Sequence, residues 1–114
     1  MSHFNQLPEF EKAFLKLFRK YKSLPEDLRK LETIITNPDI GPVGVGKNFI
    51  TLHQSENIKI VKARLACMSL RERSMRVVYA YHSDKIEFMY IEIYYKGDKE
   101  NEDNERIKKY LQQH

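Results

Sequence analysis

The sequence predicts an α+β domain in which an N-terminal helical hairpin packs on a small antiparallel sheet and a short helix closes the chain. Three observations carry this prediction. Apolar residues recur at helical spacing from Pro8 to Ile35, alternate with charged ones from Ile58 to Lys96, and return to helical spacing at Ile107, Tyr110 and Leu111. Both periods place the apolar positions on one side of their segment, so helices and strands have faces to bury against each other.

In PEFEKAFLKLFRKY, Phe10, Phe14, Leu17, Phe18 and Tyr21 share one helix face, and Lys12, Lys16, Arg19, Lys20 and Lys22 clothe the other, either as solvated groups or as phosphate contacts. A second helix is signalled at Ser23-Leu24-Pro25-Glu26. The serine suits an N-cap, the glutamate three residues on suits the reciprocal bond, and proline is accepted in the first turn. Leu24, Leu28, Leu31 and Ile35 form its stripe, Ile34 lies beside it, and Asn37-Pro38 ends it.

Residues 38–46, PDIGPVGVG, hold three of the four glycines. With no GK[ST] sequence and no helix following, Gly41, Gly44 and Gly46 shape the chain rather than cradle a phosphate. NFITLH is a short strand, and Ser55-Glu56-Asn57 turns the chain into the three strands that matter most.

In IKIVKARLAC, Val61, Ala63, Leu65 and Cys67 point one way and Lys62 and Arg64 the other. In SMRVVYAYH, Val77, Tyr79 and Tyr81 oppose Arg76, Val78 and Ala80. KIEFMYIEIYYK divides into Met89, Ile91, Ile93 and Tyr95 against Glu92, Tyr94 and Lys96. If the three strands are neighbours, Lys62, Arg64, Arg76, Glu92 and Lys96 share one surface, and such a surface suits a polyphosphate chain. Alternating charge is also the ordinary pattern of a solvated sheet face. The sign balance separates the two readings: Lys59, Arg71 and Arg73 add to the basic stretch, with Glu72 opposing them, whereas a face that needs only solubility mixes its signs.

At 114 residues the chain is expected to form one domain, residues 1–114, able to bury a core without metals or disulfides. A net charge of +4 and a pI near 9.1 favour nucleic acid or an acidic protein as partner. The single cysteine, Cys67, falls on the packing side of its strand and reads as a small buried apolar residue. One unpaired thiol fits a reducing cytosol. No apolar run approaches the roughly 20 residues that span a bilayer, and MSHFNQLPEFEK lacks the apolar core of a signal peptide, so a cytoplasmic protein without membrane contact is expected.

The four histidines show no zinc-binding spacing, and His82 is expected in a turn. The acidic run GDKENEDNE suits the start of the closing helix, with Asn101 or Asp98 as cap. Asp98, Glu100, Glu102 and Asp103 lack the spacing of a metal motif. No metal and no small-molecule cofactor is expected.

The order of elements, with SLPEDLRKLE in the second helix and RVVYAY followed by IEIYYKGDKEN, resembles the RelE/ParE superfamily of bacterial toxin–antitoxin toxins, and its RelE branch most. The resemblance runs from about residue 7 to residue 112 and implies a single RelE-like domain with a first edge strand around His3 to Gln6. It implies a ribosome-dependent endoribonuclease that cuts messenger RNA, silenced by an acidic antitoxin. Two basic residues spaced by one on the second sheet strand correspond to Lys62 and Arg64, the arginine opening the next strand to Arg76, and the basic residue ending the last strand to Lys96. Where the family carries glycine and an aromatic before that arginine, Ser74-Met75 stands here, which leaves Tyr94 as the ring that stacks on a base.

Metal-free RNA cleavage needs the 2′-oxygen deprotonated, the phosphorane charge stabilised and the leaving 5′-oxygen protonated. Lys62, crowded by Arg64 and Arg76, is a candidate base or proton carrier, and Glu92 competes for that role. Arg76 presents a fork that matches two phosphate oxygens, Lys96 holds the scissile phosphate or protonates the leaving group, and Arg64, Lys59, Arg71 and Arg73 lie along the RNA backbone. Two other readings stay open: a ParE-like inhibitor of DNA gyrase with no catalysis of its own, and an RNA-binding domain that does not cleave.

Overall fold

The structure, a computed structural model, describes residues 3–44, 46–70 and 72–114, including their side chains except those of His3 and residues 72–74. Eight elements follow one another: β1 His3–Gln6, α1 Pro8–Lys20, α2 Leu24–Ile35, β2 Phe49–Gln54, β3 Ile58–Cys67, β4 Glu72–His82, β5 Glu87–Tyr95 and α3 Asn104–Gln112. They form one five-stranded sheet in the order β1-β5-β4-β3-β2, with helices on both faces. The sheet is mixed rather than antiparallel, because β1 runs parallel to β5 at one edge. That edge strand is the one implied by resemblance and invisible to periodicity.

Apolar burial explains why α1 and α2 lie where they do. Phe10, Leu24, Leu31 and Ile35 pack with Val61, Ala63, Leu65, Cys67, Val77 and Tyr79 of the sheet, as the strand parity predicts. The two helices, expected as a hairpin, are held chiefly through the sheet: α1 lies over β5 and α2 over β3. Phe10 is fully buried, with its ring stacked on Tyr90 at 4.8 Å between centroids. Such a pair adds geometric preference to the area it buries.

The sequence parity fails in β5, where Val78 pairs with Glu92 but Tyr79 pairs with Tyr90. Ile91 is the extra residue of a β-bulge, and a bulge reverses the alternation on either side of it. Phe88 and Tyr90 therefore face the helices together with Ile93 and Tyr95, whereas Met89 and Ile91 join the opposite face. The expected grouping of Met89 and Ile91 with Ile93 and Tyr95 is corrected by that one residue.

The second face is covered in part by α3. Ile107 and Tyr110 pack on Ile58, Ile60, Val78, Ala80 and Ile91. The cap of α3 is Asp103, whose side chain accepts from the Arg106 N–H, in place of the expected Asn101 or Asp98. His82 ends β4 and is buried, not a turn residue, and its Nε2 shares a hydrogen bond with the Tyr110 hydroxyl. Ser23 also departs from expectation. Its hydroxyl donates to the buried Asp27 carboxylate at 2.7 Å instead of capping α2, and Asp27 accepts the Met68 N–H as well. This ties the turn between α1 and α2 to the segment after β3.

Two loop glycines do conformational work. A Cβ at Gly41 would lie 1.9 Å from the Ile35 carbonyl oxygen, and Gly44 has φ of 70° against Val61 and Thr51. The Tyr79 hydroxyl donates to the Gly41 carbonyl and Lys59 Nζ to that of Val43, so the loop is fastened over the end of the sheet.

Two outcomes follow. Phe10→Ala should lower unfolding stability by about 3–5 kcal/mol, read from urea denaturation, because its ring is enclosed and the sheet cannot collapse to fill the void. The second concerns pH. Burial holds the His82 imidazole below its ordinary value of 6.5, helped by the charges of His114 and Lys85 and opposed by Asp84 and Glu87. The unfolded chain then binds a proton that the folded chain refuses, so stability is complete above about pH 6.5 and declines as pH falls below it. His82→Gln should flatten the slope of stability between pH 7 and pH 5, and equal slopes would remove His82 as its source.

Candidate functional site

Strand register builds the site row by row on the second face, beyond the reach of α3. Arg64 lies directly opposite Arg76, and Arg76 opposite Tyr94. In the next row Ile50 is opposite Lys62, Lys62 opposite Val78, and Val78 opposite Glu92. Lys62, Arg64, Arg76 and Lys96 come together there, lining a cleft of about 90 Å³ with Lys47, Asn48 and Ile50.

The tight turn before β2 supplies Lys47 and Asn48. Gly46 bridges to Phe49, and the Arg64 N–H donates to the Asn48 carbonyl, which holds the turn against β3. Sequence reasoning missed Lys47 because its segment reads as a loop. The available signal was its place immediately before a strand that neighbours the basic one.

Arg76 is only 9 % exposed. Its guanidinium donates to the Met75 carbonyl oxygen at 3.1 Å. Burial, then the charge of Arg64, lowers its proton affinity from the ordinary arginine value, while Tyr94 acts in the opposite sense. Beside Arg64 on the cleft wall, the Arg76 guanidinium is placed to meet an arriving anion.

Glu92 and Tyr94 share this face but lie beneath the segment 96–103. One Glu92 oxygen accepts the Asp103 N–H at 2.7 Å and the other pairs with Lys99 Nζ, and the residue is 3 % exposed. A carboxylate with both oxygens engaged is an anchor for the segment and not a group open to a substrate hydroxyl. Tyr94 is buried too, with Lys99 Nζ 5.6 Å from its ring centroid. Its hydroxyl is pushed up to about 12 by burial and by Glu102 and Glu92, against the effect of Arg76, so it stays protonated. The covering lysine occupies the space over this ring that a stacked base needs.

The segment above also contributes Glu102, whose Oε1 accepts from Lys62 Nζ at 2.8 Å. This partner was expected only among the residues that favour a helix start. Its signal was the acidic run following a basic sheet. Lys59, proposed along the RNA backbone, projects to the opposite face, where it bonds to the Val43 carbonyl. Arg71 and the side chain of Arg73 lie outside the described residues. Among the described residues no group of three or more His, Cys, Asp or Glu side chains is placed to hold a metal, and no helix is long and apolar enough to cross a membrane.

No family model matches this chain, and no curated protein matches it. Among solved structures it is similar to a chain of the archaeal RelE–RelB complex from Pyrococcus horikoshii OT3, with a TM-score of 0.60. The alignment covers 84% of this chain and 96% of that one at 15% identity. A likeness at that identity is one of fold, and the fold of this chain, a five-stranded mixed sheet with helices on both faces, is RelE-like.

Proposed function

We propose that the chain is the toxin of a toxin–antitoxin module and an endoribonuclease that cuts messenger RNA on the ribosome by attack of the ribose 2′-oxygen. The observation that carries this reading is the register that sets Arg64 against Arg76 in a cleft ringed by Lys47, Lys62 and Lys96, on a RelE-like sheet. Like charges directly opposite on neighbouring strands work against folding. A phosphate chain entering the cleft offsets that cost. The similar structure is a complex of RelE with RelB, which supports a protein partner here; an acidic antitoxin that covers the cleft or displaces α3 fits the charge. Messenger RNA and ribosomes place the activity in the cytoplasm.

Roles follow from reach and proton chemistry. Arg76 lays its fork on the non-bridging phosphate oxygens, Lys96 at the exposed rim grips the scissile phosphate, and Arg64 and Lys47 take the flanking backbone. Guanidinium groups do not give up protons at working pH, so the acid is a lysine; with Lys96 on the scissile phosphate and Lys47 on the flanking backbone, Lys62 protonates the leaving 5′-oxygen. The 2′-hydroxyl proton passes to water while the cations stabilise the alkoxide. As the bond from O2′ to phosphorus forms, the bond to O5′ breaks, leaving a 2′,3′-cyclic phosphate and a 5′-hydroxyl. Glu92 serves by holding the segment above the cleft. Without a strong base or an open stacking ring, the site relies on the ribosome to align the 2′-oxygen, and alignment of that kind is worth several kcal/mol.

A translation extract tests this directly. Programmed ribosomes should restore cleavage by orders of magnitude over naked RNA, with 2′,3′-cyclic phosphate ends and no effect on gyrase supercoiling. Intact message with blocked supercoiling would instead make the chain a gyrase inhibitor. Arg76→Lys keeps the charge and loses the fork; it should cost roughly 10²- to 10³-fold in cleavage rate. A thermal melt of the same protein separates that loss from unfolding, and a parental rate in a folded Arg76→Lys protein would move the site elsewhere.

A further inference from the structure

The cleft is lined by Lys47, Lys62, Arg64, Arg76 and Lys96 beside the neutral Asn48 and Ile50, and Glu102 reaches one of these cations, Lys62. Their ion pair, 2.8 Å long, has side chains only 12% and 17% exposed, unlike the mobile pairs of an open surface. The chain on either side of Glu102 is held down. Lys99 and the Asp103 N–H both bind the Glu92 carboxylate, and the Asp103 side chain caps α3. Glu102 is therefore delivered to Lys62 by a fastened segment.

We propose that Glu102 is a positioning residue of this cleft: its carboxylate holds the Lys62 ammonium in place, aimed at the substrate and ready to protonate the leaving oxygen. The inference rests on the cleavage reading above. Around Lys62 stand Arg64 on its own strand, Arg76 on β4, Lys96 after β5 and Lys47 on the turn before β2. Lys99, on the same segment as Glu102, is engaged with Glu92 beneath it. Against those like charges Glu102 supplies the opposing one. Burial works to raise the Glu102 carboxyl, but the Lys62 hydrogen bond, its backbone bond and the charges of Lys62 and Lys99 together bring it below its ordinary value, so it stays ionised at neutral pH. Neutralising Glu102 removes the carboxylate bonded to Lys62 and leaves the cations around it unopposed at that point.

Glu102→Gln in the full chain keeps shape and hydrogen-bonding capacity while removing the charge. Two measurements on it test the proposal: NMR titration of the Lys62 Cε signal, and the pH profile of cleavage on programmed ribosomes. The Lys62 midpoint and the alkaline limb of kcat should both move down by about one pH unit or more, with KM little changed and Glu102→Asp restoring most of the parental profile. In a Lys62→Ala background Glu102→Gln should add nothing further. An unmoved Lys62 midpoint overturns the proposal whatever the rates are, and so does a loss that adds to that of Lys62→Ala. If the parent cuts no message while the midpoint still moves, the cleavage reading fails and takes the catalytic part of Glu102 with it, leaving an ion pair of structure alone.

Discussion

The extra residue at Ile91 puts two successive β5 side chains, Ile91 and Glu92, on the same face of the sheet, and the arrangement of that face depends on this pair. Ile91 enters the apolar patch under α3. Glu92, one residue on, is buried beside it and collects the Asp103 N–H and Lys99. The bulge thus joins an apolar anchor to a polar one at the point where the chain leaves the sheet for its last helix. Without it, strict alternation would send one of the two side chains to the face packed by α1 and α2.

That division splits the second face into two regions of opposite character. Val78 and Ala80 are covered by Ile107 and Tyr110, while Arg64 and Arg76, one or two rows away, stay against a cleft. Concentrated like charge is tolerable because the core on the other face is extensive. Phe10, Tyr79, Phe88 and Tyr90 bury large rings there, each aromatic pair adding to the area term. Local cost at a charged site, offset by packing elsewhere, is the usual arrangement of a binding surface.

The segments around the cleft are fixed by polar contacts of long sequence separation. Tyr79 fastens the loop that leads to Lys47, and Asp27 and Ser23 tie the first helical turn to the residues after β3. Glu92 fastens the stretch that carries Glu102. Each link joins a loop to a strand or helix already held by apolar burial, so the cleft inherits its geometry from the core.

The sequence by itself determined the α+β class, the helix stripes, the parity of β3 and β4, and the face of its strand on which each of Lys62, Arg64 and Arg76 stands. These are local properties: a period of 2 or 3.6 assigns a face without knowledge of the neighbours. Only the tertiary structure decided what required pairing across the chain. The bulge at Ile91 is a mismatch between β4 and β5 and leaves no mark on the alternation of either. The parallel edge strand needs β5 already in place, since four residues from His3 carry too short a pattern to read. The same holds for the site's remaining partners: Lys47 joins the cations through a turn that docks on β3, and Glu102 meets Lys62 across 40 residues of chain. Burial of Glu92 and Tyr94 follows from the segment that folds back over them, a covering that no periodicity encodes.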